Sequence, residues 1–218
     1  MRIGIFGGSF DPIHLGHINL INRTSDLLNF DKVIIVPNLN SKKNKHEKNF
    51  YHIKQMIELS FPNDKKYEVS NLESNCDEKH FSFNTLKKLV KSSNDKFFFT
   101  LGADHSKNFN TWFKPNEILK IVNLVFINRP GYELDLNNII SNNPGYNRFI
   151  NYKGLKIIVN KKTKNKIIAL NLKKEIKISS SEIRKYIYNF DEKNIIKYIS
   201  KSVYDYIINN NLYIQNEN

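Results

Sequence analysis

Cysteine is almost absent from this chain of 218 residues: there is one, Cys76. A single thiol excludes an internal disulfide and any zinc site built on cysteines. Long apolar runs are missing too, and no stretch reaches the roughly 20 residues that a membrane-spanning helix needs. The opening Met1-Arg2-Ile3 leads straight into a strand-like segment, without the apolar core and small-residue cleavage pattern of a signal peptide, so a cytoplasmic protein is expected. Arginine is scarce: only five (Arg2, Arg23, Arg129, Arg148, Arg184) occur among 34 basic residues, so lysine carries the net charge of +13. The chain is also rich in Asn, Ile, Tyr and Phe, residues that share AT-rich codons with lysine. Genome composition therefore explains the charge more simply than a nucleic-acid partner, and no aromatic-basic recognition motif accompanies it. The basic face can still draw in anionic substrates.

What is present is alternation. Apolar runs of strand length alternate with stretches of helical period, the signature of an α/β fold with a parallel sheet. Strands are expected at about Arg2 to Phe6, in "KVIIVP", near Tyr67 to Leu72, in "KFFFTLG" and in "LVFINRPG", the last stopped by Pro130 and Gly131. Helices are expected from about Leu15 to Leu28, near Tyr51 to Ser60, from about Asn84 to Val90, in "NEILKIV" and from about Lys201 to Asn209. The polar "NLNSKKNKHEKN" reads as a loop. The Asn-rich stretch from Tyr132 to Gly154 reads as an irregular surface excursion, and "LKIIVNKKTKNKIIALNL" as two strands about a lysine-rich turn. In "ISSSEIRKYIYN", Glu182 completes a capping box if Ser179 is the cap. No internal repeat or interdomain linker breaks the chain, so residues 1–218 read as a single domain.

The stretch of chemical interest is "GIFGGSFDPIHLGH", residues 4 to 17. Gly7 and Gly8 allow a tight turn and close approach to a ligand, and the helix that follows aims free N–H groups and its positive dipole end at that point. Phosphate suits such a place, although a plain strand-to-helix turn uses the same residues. His14 and His17 stand three apart at the helix start, where i and i+3 share a face, so both rings can reach one pocket. A metal reading lacks a third ligand, which catalytic zinc usually requires, and Asp11 more simply supports the turn. Core packing of both rings is the other alternative. Gly102 and Asp104 follow the fourth strand, at the carboxyl edge where open α/β sheets bind ligands. Asp104 can instead cap the next helix. Trp112, the only tryptophan, is either a core anchor or an aromatic platform.

Gly7-Gly8-Ser9-Phe10-Asp11-Pro12 followed by His14-Leu15-Gly16-His17 resembles the signature of the nucleotidylyltransferase superfamily, whose members carry His-x-Gly-His or Thr-x-Gly-His. "ISSSEIR", Ile178 to Arg184, resembles its second motif of serine or threonine, spacer residues and arginine. Between them "LGADHSKNFNTW", "VNLVFINRPG" and "FSFNTL" are similar to the bacterial nicotinate-mononucleotide adenylyltransferases. The resemblance covers nearly the whole chain, apart from the excursion and lysine-rich hairpin between about Tyr132 and Leu172. It implies a Rossmann-like doubly wound parallel sheet with C-terminal helices. The implied reaction is transfer of the adenylyl group of ATP, with Mg2+, to nicotinate mononucleotide, giving deamido-NAD and pyrophosphate in NAD biosynthesis.

The same resemblance implies roles for individual residues. His14, His17 and Arg184 are the implied catalytic groups. Gly7, Ser9, Phe10, His17, Gly102, Asp104, Ser180 and Arg184 are implied to bind ATP. Gly8, Ser9, Lys43, Lys45, Ser82, Thr85, Trp112 and Phe113 are implied to bind the acceptor, with Trp112 stacked on the pyridine and Ser82 and the Phe113 backbone at the nicotinate carboxylate. No metal held by the protein itself, no nucleic acid and no membrane partner are expected; a homo-oligomer stays open.

The chain departs from the family pattern at three places. "HFSFNT" (His80 to Thr85) stands where Ser-Tyr-Thr-x-Asp-Thr is common, so Asn84 replaces Asp and Ser82 replaces Thr. "NSKKNK" stands where Pro-Pro-His-Lys is usual, leaving Lys43 or Lys45 as the phosphate contact. His52 in "FYHIK" lacks the usual following arginine. These changes bear on substrate contacts rather than on the reaction class. Nicotinamide mononucleotide or phosphopantetheine are the alternative acceptors, although phosphopantetheine enzymes lack the LGAD-to-Trp arrangement. A basic nucleic-acid-binding module that kept the nucleotide fold is the alternative from a different class.

Overall fold

Strand β1 (Arg2–Gly8) buries Ile3, Ile5 and Phe6 almost completely. A strand that hides successive residues on both of its faces belongs inside a parallel sheet. The computed structural model describes residues 1–38, 47–74, 81–91, 93–128, 134–152, 154–172 and 176–214, the side chains of 47–49 excepted. After β1 come α1 (Leu15–Leu28), β2 (Lys32–Pro37), α2 (Glu47–Ser60), β3 (Tyr67–Val69), α3 (Ser82–Val90), β4 (Lys96–Gly102), α4 (Pro115–Ile121) and β5 (Asn123–Asn128). Then follow α5 (Asn137–Ser141), β6 (Tyr146–Tyr152), β7 (Leu155–Asn160), β8 (Lys166–Asn171), α6 (Ser180–Tyr188), α7 (Glu192–Tyr198) and α8 (Lys201–Asn209). The chain is thus an α/β protein with a mainly parallel sheet flanked by helices, as the alternation predicts. Its residues form two compact units: Met1–Gly7, Asn29–Ile34 and Lys79–Lys173 make one, and Gly8–Leu28, Ile35–Glu78 and Lys174–Asn218 make the other.

In the first unit, which takes in only the start of β2 (Lys32 to Ile34), the strands run in the order β2-β1-β4-β5-β8-β7-β6. β1 pairs parallel with β4, β4 with β5, and β5 with β8. The β8–β7 and β7–β6 pairs are antiparallel. β4 and β5 are buried almost throughout, and each fully buried large apolar side chain contributes about 1.5–3 kcal/mol. Asn123 is the polar exception, only 7% exposed. Its Nδ2 donates to the Phe97 carbonyl at 2.9 Å and its Oδ1 accepts from the Lys166 N–H at 2.9 Å, so one buried amide ties together the starts of β4, β5 and β8.

Among its described residues, the stretch read as an irregular excursion carries regular elements. It holds α5 and the edge strand β6, with Ile139 and Tyr146 fully buried. The Tyr146 hydroxyl donates to the Leu119 carbonyl at 3.0 Å, and Asn165 Nδ2 donates to the same carbonyl at 3.0 Å, so the hairpin caps the end of α4. β6 shows no alternation because, from Asn147 onward, it is largely exposed on both faces.

In the second unit α1 buries Ile21, Thr24, Ser25 and Leu28, one face of a helix. β3 lies beside the end of β2, where the Ser70 N–H donates to the Ile35 carbonyl at 2.8 Å. It is shorter than the expected Tyr67 to Leu72, since the Leu72 N–H turns to the Ser70 hydroxyl at 3.2 Å. α6 carries the expected capping box of Ser179 and Glu182, and α8 is capped by Ser200. Helix α7, capped by Asp191, is too short for its apolar period to show in the sequence.

Candidate active site

The chain does not turn at its paired glycines. Gly7 and Gly8 are the last residues of β1, and among the described residues only Gly154 is a glycine with positive φ. The left-handed residue is Phe10, at φ 48°, followed by a cis peptide between Asp11 and Pro12. The Phe10 ring is 3% exposed and meets His17 edge-on, with centroids 5.0 Å apart. A Cβ at Gly8 would stand 3.0 Å from that ring, so a larger residue there would press the buried ring to shift. At Gly7 a Cβ would meet, among the described residues, only Phe99, at 3.8 Å. Gly7 and Ser9 are exposed and Gly8 is half-buried.

His14 opens α1. Its carbonyl accepts the N–H groups of His17 at 2.9 Å and Ile18 at 3.1 Å, and its ring Nδ1 accepts the His17 N–H at 3.3 Å. With Nδ1 used as an acceptor, the proton of the neutral ring sits on Nε2. The His14 and His17 rings stack at 3.7 Å, 17° from parallel, with His14 buried and His17 half-buried. No acidic side chain lies in the first turn of α1 to offset the positive end of the helix. Gly16 makes the stack possible: a Cβ there would come within 3.0 Å of His14 Cε1 and Nδ1 and 3.1 Å of the Ile176 carbonyl oxygen. The sequence marks Gly16 as part of a motif and says nothing of this contact.

The distal motif is brought to the same turn. Ser180 Oγ donates to the Pro12 carbonyl at 3.0 Å, 168 positions away in the chain. Arg184 Nη1 donates to the Asp11 carbonyl at 2.6 Å and lies 3.8 Å from Asp11 Oδ2, while Nη2 donates to Ser181 Oγ at 3.2 Å. Asp11, 7% exposed, accepts the Tyr213 hydroxyl at Oδ1, 2.6 Å away. Asp11 therefore links the turn to Arg184 and to Tyr213. Tyr213 was not among the expected site residues; a lone tyrosine near the end of the chain carries no local signal.

The remaining expected residues lie on the first unit, except for those outside the described residues. Gly102 is extended and half-buried, and Asp104 sits within the 3₁₀ turn Ala103–His105. That turn has Gly102 as its N-cap and no side-chain cap bond, so Asp104 does not cap it. Asp104 Oδ1 is shielded from solvent without a hydrogen-bond partner among the described residues, and Oδ2 is 3.7 Å from His105 Nε2. A shielded carboxylate oxygen of this kind suits a ligand hydroxyl. Trp112 is half-buried, held by the rings of Phe99, Phe109 and His105 at 5.5–6.4 Å. Phe113 is exposed and tilts on Phe81 at 4.8 Å, with Lys114 Nζ 5.1 Å from its ring. Ser82, half-buried, starts α3, and Thr85 is buried on it. Lys43, Lys45 and His80 lie outside the described residues. His52 Nδ1 is bonded to the Tyr206 hydroxyl at 2.9 Å, and burial first, then Tyr51, raises the Tyr206 pKa. Among the described residues no group of three His, Cys, Asp or Glu side chains could hold a metal, and no helix is long and apolar enough to cross a membrane.

Residues 5–186 match the sequence model of the cytidylyltransferase-like family, a span that includes both motifs joined at Asp11 and Pro12. The chain belongs to this family. A relative from Aliarcobacter butzleri, named "Probable nicotinate-nucleotide adenylyltransferase", is 39% identical over 62% of this chain and 75% of its own length. One of the same name from Carboxydothermus hydrogenoformans is 31% identical over 97% of this chain and 98% of its own. Among solved structures, Plasmodium falciparum nicotinic acid mononucleotide adenylyltransferase complexed with APC matches with a TM-score of 0.70 and 26% identity, over 100% of this chain and 99% of that one. The same enzyme complexed with NaAD matches equally well. The Rossmann-like fold class expected of the family holds.

Proposed function

We propose that this protein is a nicotinate-nucleotide adenylyltransferase: it transfers the adenylyl group of ATP to nicotinate mononucleotide and releases pyrophosphate. The observation that carries this reading is the union of the two motifs, with Ser180 bonded to the Pro12 carbonyl and Arg184 to the Asp11 carbonyl, beside the stacked His14 and His17. The mononucleotide phosphate attacks the α-phosphorus of ATP, the bond from that phosphorus to the oxygen bridging to the β-phosphorus breaks, and deamido-NAD and pyrophosphate result. Such a step needs no covalent intermediate; it needs positioning and stabilisation of the transferring group. His17 and the Nε2–H of His14 donate to phosphate oxygens, and Arg184 with Ser180 holds the outgoing pyrophosphate. Arginine suits that role because its planar fork can bind two phosphate oxygens.

Gly7, Ser9 and Gly102 are assigned to ATP, Phe10 through its main chain only because its ring is buried, and Asp104 to a ribose hydroxyl. Gly8, Ser9, Ser82, Thr85, Trp112 and Phe113, with Lys43 or Lys45, serve the acceptor. Enzymes of this kind generally use a divalent cation; here Mg2+ enters with ATP as part of the substrate. A cytoplasmic location fits these substrates.

Donors at the acceptor base favour a carboxylate, since an amide would set its NH₂ against one of them and leave a buried group unpaired at about 1–3 kcal/mol. Incubating the protein with ATP and either nicotinate mononucleotide, nicotinamide mononucleotide or phosphopantetheine, and measuring pyrophosphate and product, tests the reading. The expected outcome is a preference for nicotinate mononucleotide of at least roughly tenfold in kcat/KM, which corresponds to about 1.4 kcal/mol. No adenylyl transfer to any acceptor would overturn the reading; equal use of nicotinate and nicotinamide mononucleotides would overturn the acceptor assignment alone.

A further inference from the structure

The chain leaves α8 through "NNLY", residues 210–213, and does so in an unusual conformation. Asn210 N–H closes on the Ile208 and Tyr206 carbonyls, and Leu212 N–H returns to the Ile207 carbonyl. Asn211 and Tyr213 both take positive φ, 53° and 64°. Asparagine accepts that region readily; an aromatic side chain rarely does, and such an outlier persists only where surrounding contacts hold it. The contact here is specific. Tyr213 donates its hydroxyl to Asp11 Oδ1 at 2.6 Å, and Asp11 is the residue whose carbonyl receives Arg184 Nη1.

The carboxylate thus stands between a phenol and a guanidinium. With Oδ1 held by Tyr213, Oδ2 remains 3.8 Å from Arg184 Nη1 rather than forming a close two-pronged pair. Arginine and carboxylate readily adopt the two-pronged geometry when nothing restrains either partner. Such a pair would take the N–H groups that a pyrophosphate needs and would neutralise the charge that attracts it. We propose that Tyr213 is a positioning residue for adenylyl transfer: by restraining the Asp11 carboxylate it keeps the Arg184 guanidinium turned to the phosphates of ATP. This inference rests on the adenylyltransferase reading above.

The test is Tyr213→Phe, which removes one oxygen, compared with Asp11→Asn and the double variant. Each is assayed for the KM of ATP, the KM of nicotinate mononucleotide, kcat, and thermal melting. Tyr213→Phe is expected to raise the KM for ATP about fivefold or more and to leave the acceptor KM within twofold; Asp11→Asn, which lacks the charge that would capture Arg184, is expected to raise the KM for ATP less than Tyr213→Phe does. In the double variant the tyrosine change should add nothing further, because residues acting through one link are non-additive. A general loosening of the fold would instead move both KM values together. Equal shifts of both KM values, additive losses, or a Tyr213→Phe variant within twofold of the parent throughout would overturn the inference while parent activity keeps the functional reading intact. Absence of adenylyl transfer by the parent itself would overturn that reading, and the inference with it. If Tyr213→Phe does not fold, Tyr213→Met, which fills the space without a donor, is measured in its place and judged by the same outcomes.

Discussion

Gly16→Ala separates what the helix prefers from what the site requires. Alanine is the better helix former by about 1 kcal/mol in a helix interior, and by less at the second residue of α1. The new methyl group would stand 3.0 Å from His14 Cε1 and Nδ1 and 3.1 Å from the Ile176 carbonyl oxygen. Ordinary contacts between carbon atoms lie at about 3.5–4.0 Å, so something must move by a few tenths of an ångström. The carbonyl is backbone, whereas the imidazole can rotate, and the ring therefore gives way. Its displacement disturbs the 3.7 Å stack on His17 and the 3.3 Å bond from the His17 N–H. A ring pair and a hydrogen bond are each worth about 0.5–1.5 kcal/mol, and the helix gain offsets part of that. The expected net loss of stability is about 0–2 kcal/mol, a fall in Tm of a few degrees at about 2–4 °C per kcal/mol for a chain of this size. Activity should suffer far more, because displacing a positioned group by a fraction of an ångström to about 1 Å costs up to about 100-fold in rate. Pyrophosphate release at saturating ATP and nicotinate mononucleotide, measured beside a melting curve, gives both numbers. A folded Gly16→Ala variant with kcat within twofold of the parent would refute the steric argument.

Three further outcomes are expected. His17→Ala should lower turnover by roughly two to three powers of ten, the scale of one lost preorganised donor, while a melting curve shows it folded; parent-like turnover would remove His17 from the chemistry. Arg184→Lys keeps the charge but cannot serve both the Asp11 carbonyl and Ser181 Oγ, so the KM for ATP should rise roughly tenfold; an unchanged ATP dependence would place Arg184 outside the site. Burial raises the Tyr146 phenol above its ordinary value of 10.0, so its contribution is fully present below that value and is lost as pH climbs past it, because the unfolded chain releases the proton first. Tyr146→Phe should therefore cost about 0.5–1.5 kcal/mol at neutral pH and show a shallower loss of Tm than the parent above about pH 10; parallel curves would contradict this.

The sequence by itself determined the elements whose signals are local. α1, β2, β4 and α8 stand where period and composition put them, because an apolar stripe or run records which faces will be buried. The capping box at Ser179 and Glu182 was legible for the same reason: its two bonds join residues three apart. The two motifs were legible as types of residue, yet their meeting was not, since the bonds of Ser180 and Arg184 to Pro12 and Asp11 close gaps of 168 and 173 positions that no spacing rule spans. Tertiary structure alone decided that Phe10, and neither glycine, takes the left-handed turn, since the burial of its ring beside Gly8 and His17 is a contact that no local pattern records. It also decided that the Asn-rich stretch holds the edge strand β6, which gains its order from pairing with β7 and from the burial of Tyr146 rather than from its own pattern. Tyr213 belongs with these: its place on Asp11 depends on a contact across 202 positions, and long-range contacts of that kind exist only once the chain has folded.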